Sequence, residues 1–254
     1  MAVYKIMSMN MLTDGLYNFG DSRFEKRIKA INELIRLKDP DIIGVQEMTD
    51  AMKPQMTEIF KKYRMVGESR GSRFSDEYSA ILFKPDIFAL SDSGTLWLSA
   101  HPRKRGSRLA LSQFPRIAAY AVLYDIFTDC TFTVFNTHLD SNFPFVRQKQ
   151  AEILCGLMQK YQKGSFTVLC GDFNTYRGTG TLEQFEKNGL KDTVDDAIGS
   201  TLRGRIGTAI QHGRPIDHIL ISDHIRLISL EKLDQKYAGY YPSDHYPLMA
   251  IISD

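Results

Sequence analysis

The chain has 254 residues, 43% hydrophobic and 24% charged, with a formal net charge of +2. Those proportions exclude a disordered or membrane-embedded chain, and the small charge excludes recognition of nucleic acid by bulk electrostatics, leaving only a local basic patch open. An odd number of cysteines in apolar segments (Cys130, Cys155 and Cys170) excludes a disulfide framework and predicts buried free thiols in a reducing compartment.

In chain order, the first strand-like run is Val3–Met9, with no basic leader ahead of it, so a cytoplasmic protein is expected. Ser22-x-x-Glu25 has the form of a capping box, and it precedes a helix over Arg23–Leu37 with Phe24, Ile28, Ile31 and Ile35 on one face. A strand at Ile42–Gln46, a short helix near Ala51–Tyr63 and a strand at Ala80–Phe83 follow. The β-branched runs Ile117–Ile126 and Thr131–Thr137, joined across Thr128-Asp129, predict an antiparallel hairpin, which excludes a purely parallel doubly wound sheet. A helix over Val146–Gln162 carries Ile153, Leu154, Leu157, Met158 and Tyr161 on one stripe. Beyond it come a strand at Phe166–Cys170, a helix near Gly180–Asn188, and strands at Ile216–Ile221 and Tyr246–Ile252. Two packed sheets flanked by helices fit this order best. No linker or change of composition divides the chain, so one domain over residues 1–254 is expected, and the absence of a heptad repeat makes a monomer the default.

Polar residues of catalytic type stand at the ends of these runs: Asn10, Glu47, His138, Asp172, Asp217 and His245 are expected in loops that share a site. In Cys170-Gly171-Asp172-Phe173-Asn174 a flexible Gly precedes an Asp and an Asn two positions apart, and strand alternation would turn both side chains to one point. The same residues are also ordinary turn chemistry. Asn136-Thr137-His138-Leu139-Asp140 and Ser243-Asp244-His245 each set a His among carboxylates, and an imidazole titrating near ~6.5 can exchange protons with water or a leaving oxygen at neutral pH. His101, His212 and His224 read as packing or surface residues, and His218 stays open. Glu47 and Asp244, with Asn10 as an amide ligand, make a sparse oxygen-only donor set that suits Mg²⁺, whereas the His and Cys spacing of a zinc site is missing.

Met9-Asn10, Gln46-Glu47, Asn136-Thr137-His138-x-Asp140, Gly171-Asp172-Phe173-Asn174, Asp217-His218-Ile219 and Ser243-Asp244-His245 occur in the order of the endonuclease/exonuclease/phosphatase superfamily, which this sequence resembles over almost its whole length. The resemblance implies a deoxyribonuclease I-like α/β fold, a four-layer αββα sandwich with the site at one end of its two sheets. It further implies Glu47 as the principal ligand of Mg²⁺ (Mn²⁺ as a substitute), with Asn10 and Asp244 close by, and His245, paired with Asp217, as activator of the water. Asp172 would position that water, Asn174 and His138 would bind the phosphate, and Glu77 resembles the acid that orients the phosphate-binding His. Arg116, Asn136 and Trp97 are the expected substrate contacts, although an isolated Trp is as ordinary in a core.

The stretch Thr95–Pro102 resembles one in a bacterial branch near the deadenylases, with Ala100-His101 as a departure in a loop that would border the substrate. Arg103–Arg108, Arg70 and Arg73 read either as solvated basic loops or as contacts for polyphosphate or a nucleic-acid backbone. The implied function is a phosphodiesterase acting on nucleic acid or a nucleotide derivative. A phosphatase or phosphodiesterase for a phosphorylated sugar, inositol or lipid headgroup is the alternative, and a non-catalytic binding protein on the same scaffold is the alternative of another class.

Overall fold

The computed structural model describes residues 2–73, 76–203 and 213–253, so His212 lies outside the described residues. The chain opens with β1 (Val3–Asn10), α1 (Phe24–Lys38), β2 (Ile42–Thr49), α2 (Lys53–Ile59), β3 (Arg64–Val66), β4 (Glu77–Phe83) and β5 (Phe88–Trp97). It continues with β6 (Ile117–Asp125), β7 (Thr131–His138), α3 (Pro144–Tyr161), β8 (Phe166–Asp172), α4 (Gly180–Glu186), β9 (Leu190–Asp192), β10 (Asp217–Ser222), β11 (Arg226–Lys232) and β12 (Leu248–Ser253). One sheet runs β11-β12-β1-β2-β4-β3 and the other β5-β6-β7-β8-β10-β9. The expected hairpin is β6 and β7, antiparallel with Ala121 opposite Val134.

Three apolar layers make this a four-layer αββα sandwich. Ile6, Ile42 and Ile81 of the first sheet meet Ala121, Val134, Val168 and Ile219 of the second. The next residue along each strand faces the other way: Met7, Ile43 and Leu82 pack under α1 and α2 against Ile31 and Ile35. Phe135, Leu169 and Leu220 pack under α3 and α4 against Leu154 and Phe185. Strands buried on both faces explain why β1, β2, β7 and β8 read as nearly continuous hydrophobic runs. Phe132, fully buried, meets Tyr4 and Phe88 edge-on between the sheets, and burial of such a ring is worth roughly 1.5–3 kcal/mol. Where the sheets come closest, a Cβ at Gly44 would collide with the Cys170 sulfur and the Asn136 amide.

Four strands were not anticipated, and they are the four sheet edges: β3, β5, β9 and β11. An edge pairs on one side only and tolerates polar residues, so Asp92-Ser93-Gly94 sits inside β5 and the pattern of β11 is mostly exposed or half-buried. The capping box does not form. Arg23 occupies the cap of α1 without a side-chain bond, and the Ser22 carbonyl instead accepts from Arg27. Thr95–Trp97 ends β5, and Ala100-His101, expected in a substrate-bordering loop, follows beyond the strand. Among the described residues no helix is long and apolar enough to cross a membrane.

Candidate active site

Neighbouring strands that end at the same edge of the sandwich deliver the polar residues. Asn10, His138 and Asp172 are the last residues of β1, β7 and β8, and Asp217 is the first residue of antiparallel β10, opposite Asp172. These are strand termini rather than the loops expected from sequence, so their backbones are held by the ladders. Glu47 lies inside β2 at a bulge between Val45 and Met48, with φ of 60°. The bulge breaks the alternation and re-aims the carboxylate. Asn10 Nδ2 donates to Glu47 Oε1 and to Asp172 Oδ2, both at 3.0 Å, while its Oδ1 accepts from the Leu12 N–H. Glu47 Oε2 accepts from the Thr13 N–H at 3.2 Å.

The Gly171-Asp172-Phe173-Asn174 segment does not converge by strand alternation. Asn174 has φ of 51°, its N–H returns to Asp172 Oδ1 at 2.9 Å, and its Nδ2 donates to the Leu139 carbonyl at 3.0 Å. The turn chemistry and the site are therefore one structure. Gly171 is required both for its φ of 151° and for space, because a Cβ there would overlap the Thr137 carbonyl of β7.

His245 Nδ1 lies 2.8 Å from Asp217 Oδ2, and its Nε2 lies 3.8 Å from Asp172 Oδ2; His138 Nε2 lies 3.6 Å from the same oxygen. Thr201 Oγ1 accepts from the Asp217 N–H, which fixes that end of β10. Ligand atoms of Glu47, His138 and Asp172 fall within 4.8 Å of one another, as do those of Asp172, Asp217 and His245. Burial, then the charges of Asp217 and Glu47, push Asp172 up to about 7 against the opposing pull of His245. Burial disfavours a charge on His245, but Asp217 and Asp172 outweigh it and hold its pKa well above the ordinary value. The mutual repulsion of buried carboxylates at Asp172 is what a divalent cation would relieve, and their hard oxygens suit one. Asp244, buried beside Ser243, adds a further carboxylate close by.

Opposite this acidic side stands a basic one. Arg116 is 5% exposed, and among the described residues its Nε and Nη1 have no hydrogen-bond partner; Nη2 makes a long 3.5 Å contact with Ser141 Oγ. Arg70, read from sequence either as a solvated loop cation or as a contact for polyphosphate or a nucleic-acid backbone, is buried. It pairs with Glu77 at 2.9 Å, lies over the Phe114 ring, and shares with His138 and Arg116 a small cavity. Burial, then the charges of Arg116 and Arg70, drive the His138 pKa well below normal, so that ring is neutral.

Two expected substrate contacts are corrected. Asn136 is fully buried between the sheets, donating to the Val45 and Ala80 carbonyls and accepting from Gln46, so its amide is spent on joining the sheets. Trp97 is 3% exposed, and its indole N–H donates to the Arg70 carbonyl, so it backs Arg70 instead of stacking a ligand. The basic loop is also tied down: Arg103 donates to Tyr161, Arg105 to Ser69 and Asp76, and Arg108 to the Ser112 and Gln113 carbonyls.

Sequence reasoning passed over Arg27 and left His218 open. Arg27, on the buried face of α1, donates to the carbonyls of Met11, Leu12 and Thr13 beyond Asn10, and to Pro242 ahead of Asp244. The one available signal was a charge interrupting the apolar face of a helix. His218 is fully buried between Asp192 and the Thr175 carbonyl.

A family model described as "Endonuclease/Exonuclease/phosphatase family" matches residues 7–245. A comparison with curated proteins found no match. Among solved structures, an endonuclease/exonuclease/phosphatase from Bacteroides vulgatus superposes with a TM-score of 0.90 at 21% identity, covering 100% of this chain and 99% of that one. A mannosyl-6-phosphatase from Bacteroides thetaiotaomicron gives 0.87 at 25% identity, over 99% of this chain and 100% of the other. The catalytic domain of human Nocturnin, solved with a sulfate anion, gives 0.75 at 21% identity, covering 99% and 94%.

Proposed function

The chain belongs to the endonuclease/exonuclease/phosphatase family, and from that premise we propose that it is a divalent-metal-dependent hydrolase of terminal phosphate monoesters, with a phosphorylated sugar or similar small polyol as substrate class. The observation that carries the reading is the buried guanidinium of Arg116, with two nitrogens free of hydrogen-bond partners among the described residues, in one cavity with Arg70 and His138. A buried cation with unmade hydrogen bonds is costly, and an anionic oxygen facing it removes that cost. A terminal phosphate brings nearly two negative charges and three non-bridging oxygens, whereas a diester brings one charge and two oxygens. Two arginines suit the former. The likeness to a mannosyl-6-phosphatase at 25% identity points the same way. The nucleic-acid diester expected from sequence draws less on these observations, since the guanidinium groups of Arg103, Arg105 and Arg108 each make local hydrogen bonds within the fold.

Glu47 and Asp172 would hold the cation, Mg²⁺ or Mn²⁺, with Asp244 nearby, and when bound it would supply charge neutralisation for the phosphoryl oxygens; Asn10, expected as an amide-oxygen ligand, instead turns its Nδ2 to both carboxylates and its Oδ1 to the Leu12 N–H. Asp217 orients His245 through Nδ1, and with the carboxylate charge that raises this ring offset by a bound cation, Nε2 would be left to take the proton of the attacking water. Asp172 and Asn174 position that water and the phosphate, and neutral His138 offers one N–H to a non-bridging oxygen. Glu77 holds Arg70 in place. No covalent intermediate is needed, because positioning and charge neutralisation are the main demands of phosphoryl transfer.

The test is hydrolysis of p-nitrophenyl phosphate against bis-p-nitrophenyl phosphate with Mg²⁺, Mn²⁺ or chelator. Metal-dependent preference for the monoester, diminished in Arg116→Ala, is the expected result. A diester preference that survives Arg116→Ala would overturn the substrate assignment.

A further inference from the structure

We infer that the buried Asp192–His218 pair is a positioning device that holds the Gly171–Thr175 turn, and through it Asp172 and Asn174, in the conformation that receives the phosphate. His218 Nδ1 lies 2.7 Å from Asp192 Oδ2 and Nε2 lies 2.9 Å from the Thr175 carbonyl, with both side chains fully buried. Each partner is an acceptor, so the ring serves both only when each nitrogen carries a proton. A neutral imidazole satisfies one contact and turns a lone pair against the other acceptor. Burial opposes the charge, and Asp192 overcomes it.

What the ring grips is the far end of the catalytic turn. At its near end the turn leaves β8 with Gly171 opposite His218 in the ladder and the Phe173 N–H bonded to the Ile216 carbonyl. Phe173 packs edge-on against the His218 ring at 5.4 Å between centroids. Between the two anchors Asn174 is held at φ of 51°, a backbone state that is uncommon for residues other than glycine and persists where its surroundings determine it. Release of the Thr175 carbonyl frees Asn174 to relax, and its N–H bond to Asp172 Oδ1 and its amide bond to Leu139 go with it.

A buried ion pair contributes little net stability compared with well-packed apolar residues, but it can specify one arrangement against its neighbours. Here the carboxylate comes from β9, a three-residue edge strand whose Asp192 also accepts the Val194 N–H at 3.0 Å. The charge pair therefore joins a short sheet edge to the centre of the site, and the inference rests on the phosphoesterase reading for what the turn receives and for its kinetic readout, but not for the hold on the turn itself.

The experiment compares wild type, His218→Ala and the neutral double variant His218→Gln/Asp192→Asn, whose glutamine amide can still donate to Thr175. Two quantities are read: p-nitrophenyl phosphate turnover with Mg²⁺, and hydrogen–deuterium exchange at residues 173–176. His218→Ala is expected to lower kcat by about 10- to 100-fold, the scale of a misplaced catalytic group, with KM changed less than about threefold. Its exchange should rise in that turn alone, and the double variant should recover most of both. Unchanged exchange in the turn of a folded His218→Ala protein would overturn the inference, as would a double variant no better than the alanine. If His218→Ala does not fold, the double variant decides against wild type: a protected turn supports the inference and an unprotected one removes it. A wild type that hydrolyses no p-nitrophenyl phosphate would count against the phosphoesterase reading, while the exchange arm would still decide this one.

Discussion

Asp217 and His218 are consecutive residues of β10, each half of a buried Asp–His pair, and the two pairs have nearly equal bond lengths of 2.8 and 2.7 Å. Strand alternation sends them to opposite sides. The His245–Asp217 pair leaves Nε2 directed at Asp172, 3.8 Å away among the carboxylates, whereas the His218–Asp192 pair ends on a backbone carbonyl. In both, a carboxylate fixes the ring and favours its proton. The second nitrogen separates the proposed roles: facing the carboxylates that we propose as the reaction centre, the ring can exchange a proton, and facing a carbonyl, it can only hold.

The sharpest way to break this comparison is kinetic. His245→Ala should lower kcat by about 10³-fold, in the range for loss of a general base, with an unchanged circular dichroism spectrum. Asp217→Asn should follow at about 10²-fold. A His245→Ala protein as active as wild type would reverse the assignment of the two rings. Next in size, Arg116→Ala should raise KM for p-nitrophenyl phosphate by roughly 10- to 100-fold, the equivalent of one charge-assisted hydrogen bond, with a smaller effect on the diester. Equal loss on both substrates would remove its role in discrimination.

Two further measurements sharpen the comparison without turnover. Mg²⁺ bound at Glu47 and Asp172 offsets the negative charge that raises His245, so a proton NMR titration should show the His245 pKa falling on metal addition while His218 moves less. Equal movement of both would place the cation elsewhere. Smallest is the effect of Asp172→Asn on the metal-free protein. Burial and Asp217 raise Asp172 to about 7 from 3.8, so the folded state resists its ionisation. That cost is absent below the unfolded value, grows between the two values and is complete above 7. Removing the charge should therefore raise the thermal midpoint in chelator at pH 8, by about 2–4 °C for each kcal/mol relieved, while abolishing turnover. A lowered midpoint would show that Asp172 is better accommodated than its surroundings indicate.

The central strands were legible because they are buried on both faces, so Ile6-Met7, Ile42-Ile43 and Val168-Leu169 supply an apolar residue to each side. The four edge strands were not legible, since a half-solvated edge has no such requirement. The site followed the same division. Asn10, Glu47, His138, Asp172, Asp217 and His245 stood out as polar residues closing apolar runs, and the structure gathers them at one end of the sandwich. Asn136 and Trp97 were also read as substrate contacts, yet their amide and indole groups join buried elements. Arg70 looked like a loop cation and is a buried partner of Glu77.

By itself the sequence determined the order of the helices and the inner strands, the family and the residue types available for chemistry, because hydrophobic periodicity and short motifs are local properties of the chain. Only the tertiary structure decided which polar groups are spent on holding the sheets and turns together and which remain to meet a substrate. A side chain's partners come from residues as far apart as Asn10 and Asp172, and no local pattern records that pairing.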